Sequence, residues 1–201
     1  NLNIPMIFSS TDLVFNGNTG GYTEDDFCYP LSQYGSQKQQ AEESLLTDFK
    51  QTFILRFPLM FGWTPEYSHN FFTQSLSKLE EKESVQAFTD EYRTLQSANI
   101  ASQWIDKMIQ YLLSKPDMPV RLLHAGGSER YSRYDFMQLM STVFELESSL
   151  IKACLQHDLN LIPQRPSDVS LDITLAEQLL GFRPPSILHQ LQQLKDSRII
   201  Y

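Results

Sequence analysis

A chain of 201 residues, 41% hydrophobic and 20% charged, is long enough for one sizeable globular unit and excludes a disordered tail, a collagen-like repeat and a disulfide-dense scaffold. No run approaches the roughly 18–20 apolar residues that span a bilayer, and the first residues lack a basic n-region with an apolar core, so neither a membrane span nor a signal peptide is expected. Sixteen basic against 24 acidic residues leave a net charge of −8, which argues against nucleic acid as a partner.

In chain order, Ile4, Pro5, Met6, Ile7 and Phe8 form a short, dense apolar run, the pattern of a strand buried on both faces of a parallel sheet. Such a strand needs neighbours, so the chain reads as one that enters its fold midway. Residues 31–49 predict a helix with Tyr34, Lys38, Ala41 and Leu45 at helical spacing. Residues 53–57 predict a strand stopped by Pro58, residues 71–83 an amphipathic helix with Phe72, Leu76 and Leu79 on one face, and residues 85–88 a short strand. Next come a helix over 100–113 with Ile100, Trp104, Met108 and Leu112 inward, a strand over 120–124 ending at Gly126 and Gly127, and a helix over 132–144. Residues 164–172 read as a loop and edge strand. A short helix over 175–180 is closed by Gly181, and Pro184 and Pro185 lead into a last helix over 187–194. This alternation predicts an α/β fold with a largely parallel sheet. Residues 1–115 are expected to carry the second part of a Rossmann-like domain, and residues 116–201 mainly a small α/β substrate-binding subdomain.

The chemistry concentrates in the first forty residues. A strand ends in Ser10, Thr11 and Asp12, a turn-rich acidic loop follows, and Tyr34 and Lys38 then share one helix face four residues apart. A phenol with an ordinary pKa near 10 is a poor proton donor–acceptor at neutral pH, and a neighbouring ammonium favours its ionised form. The pattern therefore suits proton transfer coupled to hydride transfer, with Tyr34 as general acid, Lys38 as its tuner, and Thr11 or Ser10 orienting a substrate carbonyl. The spacing alone is common, since Tyr111 and Lys115 repeat it at a helix end with an apolar face; that pair reads as structural. His69 reads as a solvated loop residue and His124 as a packed core residue. His157 and His189 have no metal-ligand spacing, so no metal is expected. Trp63 suits either a ligand contact or a loop anchor. Cys28 and Cys154 form no framework, which fits reduced thiols and a cytoplasmic location.

Ser10 to Gly17, Tyr22 to Asp26, and Pro30-Leu31-x-x-Tyr34-Gly35-x-x-Lys38-x-x-x-Glu42 resemble the extended short-chain dehydrogenase/reductases, in the branch of dTDP-4-dehydrorhamnose reductase. The likeness continues through Leu55-Arg56-Phe57-Pro58-x-x-Phe61-Gly62, Asn70-Phe71-Phe72, Thr89 to Tyr92, Gly126-Gly127 and Arg165 to Asp172. The resemblance implies a Rossmann-type parallel sheet, represented by its C-terminal half, with Thr11, Tyr34 and Lys38 as the catalytic triad. It also implies that Lys38 holds the nicotinamide ribose, that Ser9, Ser10, Phe57 and Pro58 line the cofactor, and that Asn70 and Arg165 face a sugar nucleotide. The implied reaction is reduction of a 4-keto deoxysugar nucleotide by NADPH (or NADH), as in dTDP-rhamnose biosynthesis, in a possible homodimer. Two features depart from that pattern. The sequence has no glycine-rich dinucleotide fingerprint, and Leu59 stands where the rhamnose enzymes tend to carry an aromatic residue. The second feature is more similar to the regulatory β subunit of methionine adenosyltransferase, a member that serves a partner enzyme. An NAD-dependent epimerase or dehydratase is the third reading left open.

Overall fold

The structure, a computed structural model, describes residues 4–65, 68–115, 119–159 and 164–198. The elements in chain order are β1 (Met6–Thr11), α1 (Gln33–Asp48), β2 (Thr52–Phe57), β3 (Met60–Phe61), α2 (Phe71–Glu80), β4 (Val85–Phe88), β5 (Tyr92–Arg93) and β6 (Gln96–Ser97). They continue with α3 (Ala98–Ser114), β7 (Leu122–His124), β8 (Tyr131–Ser132), α4 (Arg133–Val143), β9 (Ile151–Cys154), α5 (Thr174–Leu180) and α6 (Ile187–Ser197).

The main sheet is parallel, in the order β1-β2-β7, with Thr11 opposite Phe57 and Arg56 opposite His124. All six residues of β2 are buried, as the dense apolar run at the centre of a parallel sheet requires. The strand β1 departs from expectation. Met6 is 40% exposed and only Ser10 and Thr11 are buried, because among the described residues β1 is an edge of this sheet. One core is built on the sheet from Leu55, Leu123, Val169 and Leu171, and from the Ile100, Trp104, Met108 and Leu112 stripe that the spacing of α3 predicts. Trp104 is fully buried, and its indole N–H donates to the Gly126 carbonyl at 3.0 Å, so its polar edge is satisfied.

A second core gathers Phe61, Phe72, Leu76, Leu95, Phe136, Met140 and Leu191. Here β4 pairs in parallel with β9, a strand the sequence does not announce, since Ile151 to Cys154 are only four residues following a single helical turn. Residues 164–172 form two single bridges, Asp168 to Tyr92 and Leu171 to Tyr22, rather than an edge strand. The chain passes between the two cores repeatedly: α3, β7 and α5 serve the first, and α2, α4 and α6 serve the second.

Candidate functional site

The site grows from the carboxyl end of β1. Thr11 has extended backbone and caps a single 3-10 turn over Asp12–Val14, its hydroxyl oxygen accepting from the Leu13 N–H. Ser32 caps α1 in the same way through the Gly35 N–H, which starts the helix two residues later than the pattern suggests. Gly35 then makes the approach of α1 to β1 possible, since a Cβ at that position would stand 2.2 Å from the Leu13 carbonyl oxygen.

This docking presents Tyr34 and Lys38 toward the strand end. Tyr34 is half exposed. Lys38 Nζ donates to the Ser9 carbonyl at 2.8 Å, and lies 4.7 Å from the Phe8 ring centre and 5.9 Å from that of Tyr34. An ammonium has three N–H bonds, and among the described residues only Ser9 takes one. Ser10 is buried with its hydroxyl unpartnered among the described residues. Phe57 pairs with Thr11 across the sheet, and the buried Pro58 follows it. The structure thus brings Ser9, Ser10, Thr11, Tyr34, Lys38, Phe57 and Pro58 to one sheet end.

Asn70 and Arg165 lie on the second core's side. Asn70 caps α2: its side-chain Oδ1 accepts from the Thr73 N–H, and its side-chain Nδ2 donates to the Gly62 carbonyl, both at 2.9 Å. Arg165 is half exposed, with Nη1 3.6 Å from Glu91 Oε2. Trp63 acts as an anchor, its indole donating to the Leu194 carbonyl of α6. His69 is exposed, and His124 is fully buried.

Two charge clusters escape sequence reading. In the first, Arg56 of β2 holds Glu42 of α1 through Nη2 to Oε2 at 2.6 Å and Nε to Oε1 at 3.0 Å, both side chains buried. Arg56 also contacts His124 Nε2 at 3.3 Å and donates to the Cys28 sulfur at 3.0 Å. His124 Nδ1 faces the carbonyls of Tyr22 and Asp172, which only accept, so Nδ1 carries the proton and Nε2 receives Arg56. Burial, then the Arg56 charge, push the His124 pKa down to about 3 and keep the ring neutral. Two signals were available in the sequence: Glu42 follows Lys38 by four residues on one helix face, and Arg56 is a charge inside an apolar strand, which must be paired.

The second cluster surrounds Asp12. Its Oδ1 accepts from the Thr11 hydroxyl at 3.2 Å, and its Oδ2 lies 3.5 Å from Arg93 Nε. Burial raises the Asp12 pKa to about 6, against the lowering effect of Arg93 and the Thr11 hydrogen bond. Arg93 in turn lies 3.5 Å from Glu91. An open cleft of about 540 Å³ lies elsewhere, lined by residues including Gly20, Gly21, Thr94, Arg130, Asp168 and Arg183, and Tyr34 and Lys38 do not line it. Among the described residues, no group of three or more His, Cys, Asp or Glu is placed to hold a metal ion, and no helix is long and apolar enough to cross a membrane.

Residues 1–198 match the family described as the RmlD substrate binding domain. The chain is 26% identical over 189 residues to methionine adenosyltransferase 2 subunit beta of Xenopus laevis, covering 90% of this chain and 54% of that protein. It is 28% identical over 197 residues to the probable low-salt glycan biosynthesis reductase Agl14 of Haloferax volcanii, covering 96% of this chain and 63% of that protein. The solved dTDP-4-dehydrorhamnose reductase of Bacillus anthracis, in complex with NADP, superposes with a TM-score of 0.82 at 19% identity, covering 96% of this chain and 66% of that one. The chain thus spans about half the length of the adenosyltransferase relatives it matches.

Proposed function

The chain belongs to the RmlD substrate binding domain family, and from that premise we propose that the complete protein is a nicotinamide-dependent reductase of a 4-keto deoxysugar nucleotide, using NADPH. The observation that carries this reading is the Tyr34–Lys38 pair held at the end of β1 by the Lys38–Ser9 bond and the Gly35 approach.

The residues present suit the nicotinamide end of such a cofactor. Lys38 keeps N–H bonds free for a ribose, Ser10 offers a buried hydroxyl without a partner among the described residues, and Phe57 and Pro58 supply an apolar wall beside Thr11. When bound there, the nicotinamide supplies the hydride. Tyr34 Oη gives its proton to the carbonyl oxygen, and Lys38 favours the phenolate left behind. Thr11 orients the carbonyl, and Arg165, with Asn70 at the head of α2, faces the nucleotide part.

Replacing Tyr34 by Phe in the complete protein is expected to lower kcat for keto-sugar reduction by about 10²–10⁴-fold while leaving NADPH affinity close to wild type. Unchanged turnover in that variant would refute the reading.

A second reading has support of its own: the relatives named as methionine adenosyltransferase subunits, together with Leu59, which packs apolar against the second core. On that reading the protein binds a partner enzyme and does not turn over sugar. Stoichiometric complex formation with a methionine adenosyltransferase catalytic subunit, without keto-sugar reduction, separates the two.

A further inference from the structure

We propose that the ion-pair chain Arg165–Glu91–Arg93–Asp12 is a positioning device, coupling an anionic ligand at Arg165 to the orientation of the Thr11 hydroxyl. For Thr11 the proposal rests on the catalytic reading above.

The links are Arg165 Nη1 to Glu91 Oε2 at 3.6 Å, Glu91 Oε1 to Arg93 Nη2 at 3.5 Å, Arg93 Nε to Asp12 Oδ2 at 3.5 Å, and the Thr11 hydroxyl to Asp12 Oδ1 at 3.2 Å. One end is a half-exposed guanidinium, and the other is the hydroxyl expected to hold the substrate carbonyl. The three residues between them are almost fully buried.

Three observations separate this chain from ordinary scaffolding. The first is its looseness. Asp12 Oδ2 and Glu91 Oε2 are buried without a hydrogen-bond partner among the described residues, an arrangement that costs stability and that most buried carboxylates avoid. The second is charge. Three guanidinium groups, those of Arg93, Arg133 and Arg165, gather around two carboxylates in a chain whose net charge is −8. Arg133 stacks 3.8 Å over the Phe71 ring and makes no ion pair among the described residues, so the cluster suits an added anion such as a diphosphate. The third is the state of Thr11, whose only proton is engaged by Asp12 while its oxygen accepts from Leu13. As it stands, Thr11 has no donor for a carbonyl.

An anion that draws Arg165 away from Glu91 turns Glu91 toward Arg93 and weakens the hold of Arg93 on Asp12. The groups that act on Asp12 are Arg93, Glu91 and the Thr11 hydroxyl. With less positive charge beside it, Asp12 takes a proton from solvent, and its raised pKa of about 6 places this step near neutrality. Protonated Asp12 donates to Thr11 Oγ1, and the Thr11 hydroxyl turns its own proton to the ligand.

The test is titration calorimetry of the complete protein with dTDP at pH 6, in two buffers of different ionisation enthalpy. Net proton uptake on binding is expected. Arg165→Ala is expected to weaken binding by about tenfold, Asp12→Asn to abolish the uptake, and Glu91→Gln to cut it by at least half. Absence of dTDP binding, absence of proton uptake, or uptake intact in Asp12→Asn overturns the proposal. Should Asp12→Asn fail to fold, unchanged uptake in Glu91→Gln overturns it alone. A wild-type protein that binds with proton uptake but turns over no keto-sugar would sink the reductase reading and leave the coupling supported.

Discussion

The two buried charge clusters near the end of β1 are built to different tolerances. Glu42 and Arg56 meet at 2.6–3.0 Å, and the remaining donors of Arg56 reach His124 and Cys28. Asp12, Arg93, Glu91 and Arg165 are spaced at 3.5–3.6 Å, and two of their carboxylate oxygens go without hydrogen bonds among the described residues. In a dry interior such a difference matters, because a buried ion offsets its desolvation only when geometry is close and its lone pairs are used. The first cluster ties α1, and with it Tyr34 and Lys38, to β2 and β7. The second meets its carboxylates only at longer range, while Arg93 Nη1 donates to the Tyr92 and Pro166 carbonyls at 2.8 and 3.4 Å, so any redistribution falls on Glu91, Asp12 and Arg165.

The largest expected effect lies in the tight cluster. Arg56→Met strands the Glu42 carboxylate and is expected to cost about 3–5 kcal/mol, a fall in Tm of roughly 6–20 °C by calorimetry. Adding Glu42→Leu should return much of that loss. If the single variant melts like wild type, the contrast between the clusters collapses.

The next effect uses proton linkage. Folded Asp12 titrates near 6 rather than 3.8, so between those pH values it holds a proton that the unfolded chain lacks, and its contribution falls as pH rises. His124 has the opposite sign: its folded pKa near 3 lies below 6.5, so its contribution is lost as pH falls from 6.5 toward 3. The two slopes oppose each other between about pH 4 and 6. Asp12→Asn removes the first, so relative to wild type it should gain roughly 2 kcal/mol between pH 4 and pH 7 in denaturant unfolding. A stability difference that stays constant over that range would mean Asp12 is an ordinary carboxylate.

The smallest effect sharpens the contrast from the other side. Arg165→Ala should change stability by less than about 1 kcal/mol, because a half-exposed partner contributes little and Glu91 keeps Arg93. A large destabilisation would make the loose chain a structural one.

Much of the first core was legible. The Ile100, Trp104, Met108 and Leu112 stripe predicts the buried face of α3, and the apolar run from Phe53 to Phe57 predicts β2, because helical and strand periodicity are local properties. The Tyr34–Lys38 face was legible for the same reason. The strand β9 was not, since four residues of ordinary composition become a strand only by pairing with β4, over sixty residues away. Nor was the exposure of β1, because an apolar run records a preference for burial and not which neighbours are present to supply it.

By itself the amino-acid sequence determined the α/β alternation, the family resemblance, and the helical face that puts a phenol and an ammonium four residues apart. All of these depend on spacing along the chain. The tertiary structure alone decided that Arg56 reaches back to Glu42, that His124 is neutral with its proton on Nδ1, and that Asp12 joins Thr11 to Arg93 and Glu91. Those outcomes depend on desolvation and on contacts between residues up to about a hundred positions apart, and no local pattern encodes which buried charge will meet which.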